Sequence, residues 1–562
     1  MITMEPWWKR AVIYQIYPKS FKDTTGNGVG DIPGIIEKLD YLQDLGIDVL
    51  WLNPVYPSPQ KDNGYDISDY YNIYDVYGTM EDFERLLTEA HARGMKIIMD
   101  IVINHTSTDH AWFQAASSDV SSPYRDYYIW RDPVNGAEPN NWVSKFGGSA
   151  WQWHKPTNQY YLHLFDVSQA DLNWENEELR RQLYDMMHYW FDKGIDGFRL
   201  DVINLISKDQ RFPNDDISDG RRFYTDGPRV HEWMHEMNQN VFGPHGAMTV
   251  GEMSSTTIDH CIKYTRPDRE ELSMTFNFHH LKADYPGGEK WTLPEFDFVQ
   301  LKETLSDWQS GMYEGGGWNA LFWCNHDQPR IVSRYADDGK YRAESAKMLA
   351  ATMHCMRGTP YIYQGEELGM TNPSYSSIND YRDVETINYY DIMQKQGKSP
   401  EEAFAVIQAR SRDNARTPMQ WDSSKNAGFS EAEPWLPVPE NHTSINAKEA
   451  VSDPASVYHF YKQLIQLRKD YKILTTGDYQ LYLPDHPSLF AYTREDEDEA
   501  LLIISNFSSD IIKAGSLDLP RKEDAGNVFV TNYSRESFSL EADSLQPYET
   551  IVLHYQKQLP GV

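Results

Sequence analysis

Two charged residues lie inside a short apolar stretch of the chain, where charge is unusual. The stretch runs from Phe198 to Val202, is preceded by Gly194 and Gly197, and predicts a buried strand. Arg199 and Asp201 are two residues apart, so their side chains project from the same face of that strand. A buried cation and anion are costly unless they are paired or used in chemistry. Spacing alone leaves both alternatives open, a structural ion pair and a functional one.

Acidic residues also lie at the ends of other predicted strands. Glu252 is in TVGEM, Asp327 is in CNHDQ, and Asp100 precedes Asn104 and His105 in DIVINH. If these strands belong to one parallel barrel, their carboxylates converge on a single pocket. A set of carboxylates around one pocket suits the cleavage of a glycosidic bond.

Cleavage of this kind needs two carboxyl groups in different protonation states. One must be ionised to attack the anomeric carbon, and the other must hold a proton for the leaving oxygen. We expect Arg199 to keep Asp201 ionised. Glu252 lies between Val250 and Met253, and we expect this apolar surround to favour its protonated form.

The elements that must position these residues alternate regularly along the chain. Short apolar stretches are followed by amphipathic stretches, and eight such repeats predict an α/β fold, a closed (β/α)8 TIM barrel with chemistry at the carboxyl ends of its strands. The predicted strands are Val12–Tyr17, Asp48–Asn53, Lys96–Ile103, Gly197–Val202, Met248–Glu252, Met274–Phe278, Ala320–Cys324 and Pro360–Tyr363. The predicted helices include Ile32–Leu45, one that begins at Thr79 and runs to Gly94, Glu177–Lys193, Phe298–Gln309, Ala343–Met356 and Val457–Tyr471.

Two parts of the chain depart from this repeat. Residues 105–169 follow the third strand and are rich in Trp, Asn, Gly, Ser and Pro, which predicts an inserted subdomain, because loops of this length are seldom plain connections. Residues 475–562 contain short alternating apolar runs and predict a C-terminal antiparallel β-sandwich domain. The barrel then comprises residues 1–104 and 170–474.

Composition limits the partners and the compartment. The 562 residues carry a net charge of −32 with a pI of about 4.9, which disfavours nucleic acid and anionic membranes as partners. No apolar stretch approaches the roughly 18 residues that span a bilayer, and the N-terminus has no signal pattern. Three cysteines without metal or redox spacing suit a reducing compartment. We therefore expect a cytoplasmic protein, and we expect a monomer.

The acidic motifs, taken in order, resemble the α-amylase family, glycoside hydrolase family 13. DIVINH, GFRLDV, the Glu252 strand and NHD match its four best-known motifs, and QADLN at Gln169–Asn173 is similar to the fifth, which usually has Pro at the position of Ala170 in the oligo-1,6-glucosidase branch. The resemblance covers nearly the whole chain. It implies a retaining glycoside hydrolase that needs no cofactor for catalysis, with Asp201 as nucleophile, Glu252 as general acid/base and Asp327 as transition-state stabiliser.

The same resemblance implies further site residues. Those that would bind the sugar are Tyr65, Asp66, His105, Arg199, His326 and Arg412. The two histidines would bind hydroxyls of the reacting ring, and Arg199 would orient the nucleophile. Tyr65 would stack on the terminal ring, while Asp66 and Arg412 would clasp its far hydroxyls. Such a blind pocket implies an enzyme that removes one terminal glucose.

Within the family the chain resembles the trehalose-6-phosphate hydrolases, through VINLISKDQRFP, SDGRRFYTDGPRVHE and FNFHHLKADYP. Oligo-1,6-glucosidases typically read FEHMDLD where this chain has FNFHHLK, so basic residues replace acidic ones in this segment, and His279 and Lys282 are the candidate phosphate ligands. These exchanges would turn a neutral rim into an anion site, assisted by Arg211, Arg221 and Arg222. The resemblance implies hydrolysis of α,α-trehalose 6-phosphate to glucose and glucose 6-phosphate, with a small phosphorylated disaccharide as the partner.

Two alternatives stay open. One is an oligo-1,6-glucosidase of the isomaltase type, because Val202 is the residue type of the 1,6-cleaving branch and does not separate isomaltose from phosphorylated trehalose. The other is a non-catalytic relative, such as the transporter-associated members that have lost carboxylates and carry a membrane anchor. All three acids are present here, and no anchor is predicted.

The segment from Asp23 to Asp31 resembles the family's calcium loop after the first strand. Its candidate ligands are Asp23, Thr25, Asn27, Val29 and Asp31. Alternating oxygen ligands with flexible glycines suit a hard cation. The family usually has Asn at position 25 and Asp at position 27, so Thr25 and Asn27 remove charge. A structural Ca²⁺ and a glycine-rich turn satisfied by its own side chains both stay open.

Overall fold

The computed structural model describes residues 5–293, 296–520 and 526–557. Eight short parallel strands form the central sheet, and all the residues of seven of them are buried. In chain order they are Ile13–Ile16, Val49–Leu52, Lys96–Ile101, Gly197–Leu200, Met248–Glu252, Met274–Phe276, Ala320–Leu321 and Thr359–Tyr363. Each matches a predicted strand, although several end earlier than predicted.

Strands that follow one another in the chain pair side by side, and this makes the sheet a barrel. Ile13 pairs with Val49, and Ile98 pairs with Gly197, both in parallel register. The sixth and seventh strands are joined only by a parallel bridge between Thr275 and Asn319, so the barrel is nearly closed. The predicted TIM-barrel fold is confirmed.

Helices cover the outside of the barrel. Those between or after the barrel strands include Ile32–Glu37, Leu39–Leu45, Met80–Ala92, Glu177–Lys193, Val230–Met237, Ile258–Thr265, Phe298–Glu314, Arg342–His354 and Val457–Asp470. The helix after Thr79 begins with a capping box, in which the Thr79 and Asp82 side chains each accept from the other residue's backbone N–H. The single helix predicted for Ile32–Leu45 is wrong, because the N–H of Lys38 turns to the carbonyl of Ile35 and ends the first helix there.

The insertion after the third strand begins and ends at the same place. His105–Ser107 and Gln169–Asp171 form an antiparallel pair, with His105 opposite Asp171. Between them lie one helix and a three-stranded antiparallel sheet, which are Ala111–Ser118, Trp130–Arg131, Trp151–His154 and Gln159–Leu162. The ends of the insertion therefore meet directly after the third barrel strand, and His105, Lys145, Phe146 and Phe165 from the segment line the cavity at the barrel mouth.

Excursions after the fourth and eighth strands add short helices. They are Val384–Lys395, Pro400–Arg410, Asp413–Arg416 and Ala447–Ser452, with one helical turn at Arg221–Phe223. They include residues that line the cavity described below, among them Arg221, Glu385 and Arg412.

The C-terminal part is a five-stranded antiparallel sheet, as predicted. In spatial order its strands are Asp478–Tyr482, Leu489–Glu495, Glu499–Asn506, Thr550–Gln556 and Asn527–Thr531. Because successive side chains of a strand point to opposite faces, the two faces of this sheet have different contacts. Leu501 and Ile503 pack in the barrel core, whereas Leu502 and Ile504 pack in a second hydrophobic cluster. Ile512–Lys513 and Ser544–Leu545 form a separate two-stranded sheet. Residues 521–525 and 558–562 of the predicted β domain lie outside the described residues.

In the described ranges, no helix has both the length and the apolar character needed to cross a bilayer.

Candidate active site

Three carboxylates from three barrel strands meet in one cavity of about 380 Å³. Asp201 directly follows the fourth strand, Glu252 ends the fifth, and Asp327 lies just beyond the seventh. This convergence follows from the barrel, because parallel strands all end at the same rim. The cavity is lined by residues that include Asp62, Tyr65, His105, Lys145, Phe165, Asp201, Val202, Arg221, Glu252, Ser254, Lys282, Lys290, Asp327, Glu385 and Arg412.

The side chain of Arg199 joins the carboxylates at the centre of the site. Its Nη1 donates to Asp201 at 2.6 Å and to Asp100 at 2.8 Å, and its Nη2 donates to Glu252 at 2.5 Å. The guanidinium is 1% exposed, so water does not screen these contacts. The two alternatives left open by spacing therefore meet in one arrangement, an ion pair that also orients two carboxylates in a cavity.

The charge state of Asp201 differs from the sequence prediction, in which Arg199 keeps this carboxylate ionised. Burial and the neighbouring carboxylates of Glu252 and Asp100 raise the pKa of Asp201, although Arg199 opposes the rise. The ionised state expected for Asp201 is thus opposed by burial and by the two neighbouring carboxylates, and Arg199 is the group that favours it. One ionised and one protonated carboxyl group is the state that glycosidic cleavage needs.

The groups around Asp327 favour its ionised form. Burial opposes ionisation, but His326, Arg412 and Arg416 keep the pKa of Asp327 below its usual value. Arg416 Nη2 lies 2.7 Å and Arg412 Nη1 lies 3.2 Å from Asp327 Oδ1. A fixed negative charge beside the reacting pair suits hydroxyl binding and the stabilisation of positive charge that develops on a sugar ring.

The clasp around the terminal sugar differs from the one expected. The carboxylate of Asp66 accepts from Ser58 Oγ at 2.8 Å, Lys61 N at 2.9 Å and Asp62 N at 3.1 Å, so it organises its own loop and does not line the cavity. The expected pairing of Asp66 with Arg412 is wrong, because the residue that contacts Arg412 is Asp62. Its Oδ1 accepts from Arg412 Nη2 at 2.9 Å, and burial raises the pKa of Asp62 to about 7 despite Arg412.

The aromatic and histidine residues of the site are stacked and buried. The ring of Tyr65 lies 5.0 Å from that of His326 at an angle of 5°, and its hydroxyl donates to Asp100 at 2.8 Å. Burial lowers the pKa of His105 to about 4 and that of His326 to about 3, so both are neutral hydrogen-bonding groups near pH 7. His105 lines the cavity, whereas the fully buried His326 packs between Tyr65 and Tyr17 and contacts Asp327 at 3.3 Å.

Only some of the residues predicted to bind phosphate lie at the cavity. Lys282 and Arg221 line the cavity. Arg211 does not line it, because its side chain is 82% exposed and pairs with Asp209. His279 lies beside Lys282 but is not among the lining residues, and its ring packs 5.1 Å from Trp308.

The charge state of His279 follows from this placement. Burial and the charge of Lys282 lower the pKa of His279 to about 4. As a phosphate ligand it would therefore act as a neutral hydrogen-bond donor and not as a charge. Arg222 pairs with Asp215 and Asp216 outside the cavity.

The candidate calcium loop is satisfied by its own donors. Asp23 accepts from the N–H groups of Thr25, Gly26 and Gly28 and from Ser430 Oγ. Asp31 accepts from Thr24 and caps the first helix, and Asn27 accepts from the N–H of Val29. Among the described residues, no group of three or more acidic, His or Cys side chains is arranged to hold a metal ion. The side-chain oxygens are thus occupied by hydrogen bonds, and the calcium ion stays a prediction.

The sequence reasoning missed two residues that line the cavity, Asp62 and Lys145, and one that contacts Asp327, Arg416. Asp62 and Asp66 both lie close to Tyr65 in the sequence, and only the fold of the loop shows which of them faces the cavity. Lys145 lies in the insertion, whose sequence has no motif that points to a ligand. Arg416 lies in the same helical turn as Arg412, and nothing in the sequence distinguishes it from the other charged residues of that segment.

This geometry defines a glycoside hydrolase, and the comparisons name its family. The model of the alpha amylase catalytic domain matches residues 15–477, and that of the maltogenic amylase C-terminal domain matches residues 479–552. The chain belongs to the α-amylase family of glycoside hydrolases.

Its relatives within that family are more specific. The chain is 62% identical to the trehalose-6-phosphate hydrolase of Bacillus subtilis (strain 168), over 98% of this chain and 99% of that protein. It is 51% identical to an oligo-1,6-glucosidase of Parageobacillus thermoglucosidasius, over 99% of both. The crystal structure of Bacillus licheniformis trehalose-6-phosphate hydrolase superposes with a TM-score of 0.94 at 62% identity, covering 98% of this chain and 100% of that one.

Proposed function

We propose that this enzyme hydrolyses α,α-trehalose 6-phosphate to glucose and glucose 6-phosphate. The observation that carries the proposal is the lining of one cavity, where a nucleophile–acid pair lies beside the Asp62–Arg412 clasp and also beside the ammonium group of Lys282. The clasp suits an unmodified terminal glucose, and the cation suits a phosphate on the second sugar. The names of the most similar relatives support the same substrate.

The arrangement performs the reaction in two displacements. Asp201 attacks the anomeric carbon of the bound glucose and forms a covalent bond as the bond to the bridging oxygen breaks. Glu252 gives its proton to that oxygen, and glucose 6-phosphate leaves. Glu252 then takes a proton from water, whose oxygen attacks the same carbon and releases Asp201. Two inversions give glucose with retained configuration.

The surrounding groups position these two carboxylates. Arg199 contacts both, and the backbone N–H of Val202 donates to Glu252 at 3.2 Å. Asp327, held ionised by Arg412 and its neighbours, would bind hydroxyls next to the reacting carbon and stabilise the positive charge that develops on the ring.

The test compares substrates and one variant. We expect the enzyme to prefer trehalose 6-phosphate over trehalose and isomaltose in kcat/KM. Lys282→Ala should raise KM for trehalose 6-phosphate by about 10-fold and spare a neutral aryl α-glucoside, because only the first places a phosphate near the cation. Arg211→Ala, which removes an exposed cation from the same excursion as Arg221, is the control. Equal losses of Lys282→Ala on both substrates would count against the phosphate assignment.

A second candidate is an oligo-1,6-glucosidase. It is favoured by the 51% identity to a relative of that name and by Val202 directly after the nucleophile. The substrate comparison decides between the two, because an oligo-1,6-glucosidase would turn over isomaltose and gain nothing from the phosphate.

We infer that the enzyme acts in the cytoplasm as a monomer on a small sugar phosphate. Its three cysteines, Cys261, Cys324 and Cys355, are free and buried, which suits a reducing compartment. The net charge of −32 disfavours nucleic acid as a partner.

A further inference from the structure

Lys145 brings a cation from the insertion to the wall of the cavity. Its Nζ lies 3.1 Å from Ser254 Oγ, two residues beyond Glu252. Its own backbone N–H donates to Leu164 at 2.8 Å, and the turn that follows is closed by two glycines at positive φ, Gly147 and Gly148. The ammonium group is therefore held in place at the cavity by the fold of the insertion.

Two other cations from different segments lie close to it. Arg221 comes from the excursion after the fourth strand and Lys282 from the segment after the sixth, and both line the same cavity. The three cations are close enough for each lysine to have its pKa lowered by its cationic neighbours. Burial, together with Arg221 and Lys282, lowers the pKa of Lys145 to about 8, and burial together with Arg221 lowers that of Lys282.

The charge of this cluster is not balanced by the protein. Arg221 pairs with Asp219 at 2.5 Å, whereas neither Lys145 nor Lys282 forms an ion pair with a carboxylate of the described residues. Lys145 and Lys282 are half-buried, and a cation that is partly withdrawn from water without a carboxylate partner is costly. In a chain with a net charge of −32, two lysines without a carboxylate partner beside Arg221 in one cavity favour an anionic ligand.

Lys290 provides the contrast within the same cavity. Its Nζ lies 2.7 Å from Glu385 Oε2, so its charge is already neutralised. The imbalance is therefore local to the Lys145 group, and it is not a general property of the cavity wall.

We infer that Lys145 is a specificity-determining residue that binds the phosphate of the substrate together with Lys282 and Arg221. The inference rests on the proposed function and extends it to the insertion. A phosphate monoester carries a charge of about −1.5 to −2 near pH 7, which two lysine ammonium groups would balance. Because Ser254 follows Glu252 closely, the phosphate would lie on the leaving-group side of the acid, as hydrolysis of trehalose 6-phosphate requires.

The test uses two variants of the full chain and two substrates. We expect Lys145→Met to lower kcat/KM for trehalose 6-phosphate by about 30-fold, mainly through KM, and to change that for p-nitrophenyl α-glucoside by less than about 2-fold. Lys145→Arg keeps the charge and should retain most of the activity on the phosphorylated substrate. Arg211→Met removes an exposed cation that does not line the cavity and should leave the ratio of the two kcat/KM values unchanged. Circular dichroism of each variant checks that the fold is kept.

The pH dependence gives a second readout. Lys145 loses its proton as the pH rises through about 8, so KM for trehalose 6-phosphate should rise above that pH in the wild type. The rise should be absent in Lys145→Arg, because arginine does not titrate there. The KM for the neutral aryl glucoside should not follow the same curve.

The outcomes separate this inference from the proposed function. If the wild type prefers trehalose 6-phosphate but Lys145→Met loses nothing on it, or loses equally on both substrates, the role of Lys145 is overturned and the proposed function stands. If the wild type turns over isomaltose and not trehalose 6-phosphate, both are overturned.

Discussion

Asp62 Oδ1 and Arg412 Nη2 lie 2.9 Å apart although 350 residues of chain separate them. The pair joins the loop after the second barrel strand to the excursion after the eighth, and both residues line the cavity. Each is nearly buried, with side chains 6% and 7% exposed. Asp62, and not Asp66, is therefore the carboxylate that we propose to clasp the terminal sugar together with Arg412.

We expect Asp62→Asn to lower kcat/KM by about 100-fold on trehalose 6-phosphate and on a neutral aryl α-glucoside alike, because both place the same unmodified glucose in the clasp and Arg412 loses a buried partner. Steady-state kinetics on the two substrates measure this. A loss confined to the phosphorylated substrate would show that the clasp had been assigned to the wrong sugar.

The second prediction separates the two reacting carboxylates. Glu252→Gln has no proton to give, so turnover of trehalose 6-phosphate should fall by about 10³-fold. An aryl glucoside whose leaving group needs no proton should lose much less in its first chemical step, which burst-phase kinetics resolve. Asp201→Asn is the matched comparison, and it should abolish turnover of both substrates. The same loss on both substrates for Glu252→Gln would contradict its role as the acid.

The third prediction concerns stability at low pH. Burial lowers the pKa of His354 to about 3, and its Nδ1 is buried without a hydrogen-bond partner among the described residues. An unfolded histidine binds a proton below about pH 6.5, whereas the folded one does not until about pH 3, so its stabilising contribution is present above pH 6.5 and is lost as the pH falls.

Replacing His354 with Gln should therefore flatten the dependence of the free energy of unfolding on pH between these values, by up to about 1.4 kcal/mol per pH unit. Urea unfolding at several pH values measures the slope. The residue lies away from the cavity, so activity at pH 7 should not change. An unaltered slope would mean that His354 is not the neutral buried group described here.

The fourth prediction concerns the loop from Asp23 to Asp31. Because its side-chain oxygens accept hydrogen bonds from the loop and from Ser430, we expect the thermal midpoint to be the same in excess EDTA and in millimolar Ca²⁺. Calorimetry measures the two midpoints. A rise of several degrees with Ca²⁺, lost in Asp23→Asn, would instead establish the calcium site that the family resemblance implies.

Periodic signals were sufficient for most of the fold. The eight barrel strands were predicted at the right places, and the C-terminal part was predicted to be antiparallel β structure, because buried strands are short apolar runs and half-buried ones alternate. The helix Glu177–Lys193 was predicted with its observed ends, since Asn176 caps its start and Gly194 takes a left-handed conformation at its end. The break at Lys38 was missed, because the residues on both sides of it form helix.

The sequence by itself determined the barrel and the three acids at its strand ends, because periodicity and strand direction are local properties and parallel strands all end at one rim. Only the tertiary structure decided that Asp62 and not Asp66 meets Arg412, that Arg199 contacts both Asp201 and Glu252, and that Lys145 meets Ser254 in the cavity that Lys282 also lines. These contacts join segments that are far apart in the chain, and their distances depend on how loops fold over the rim, which no local pattern encodes.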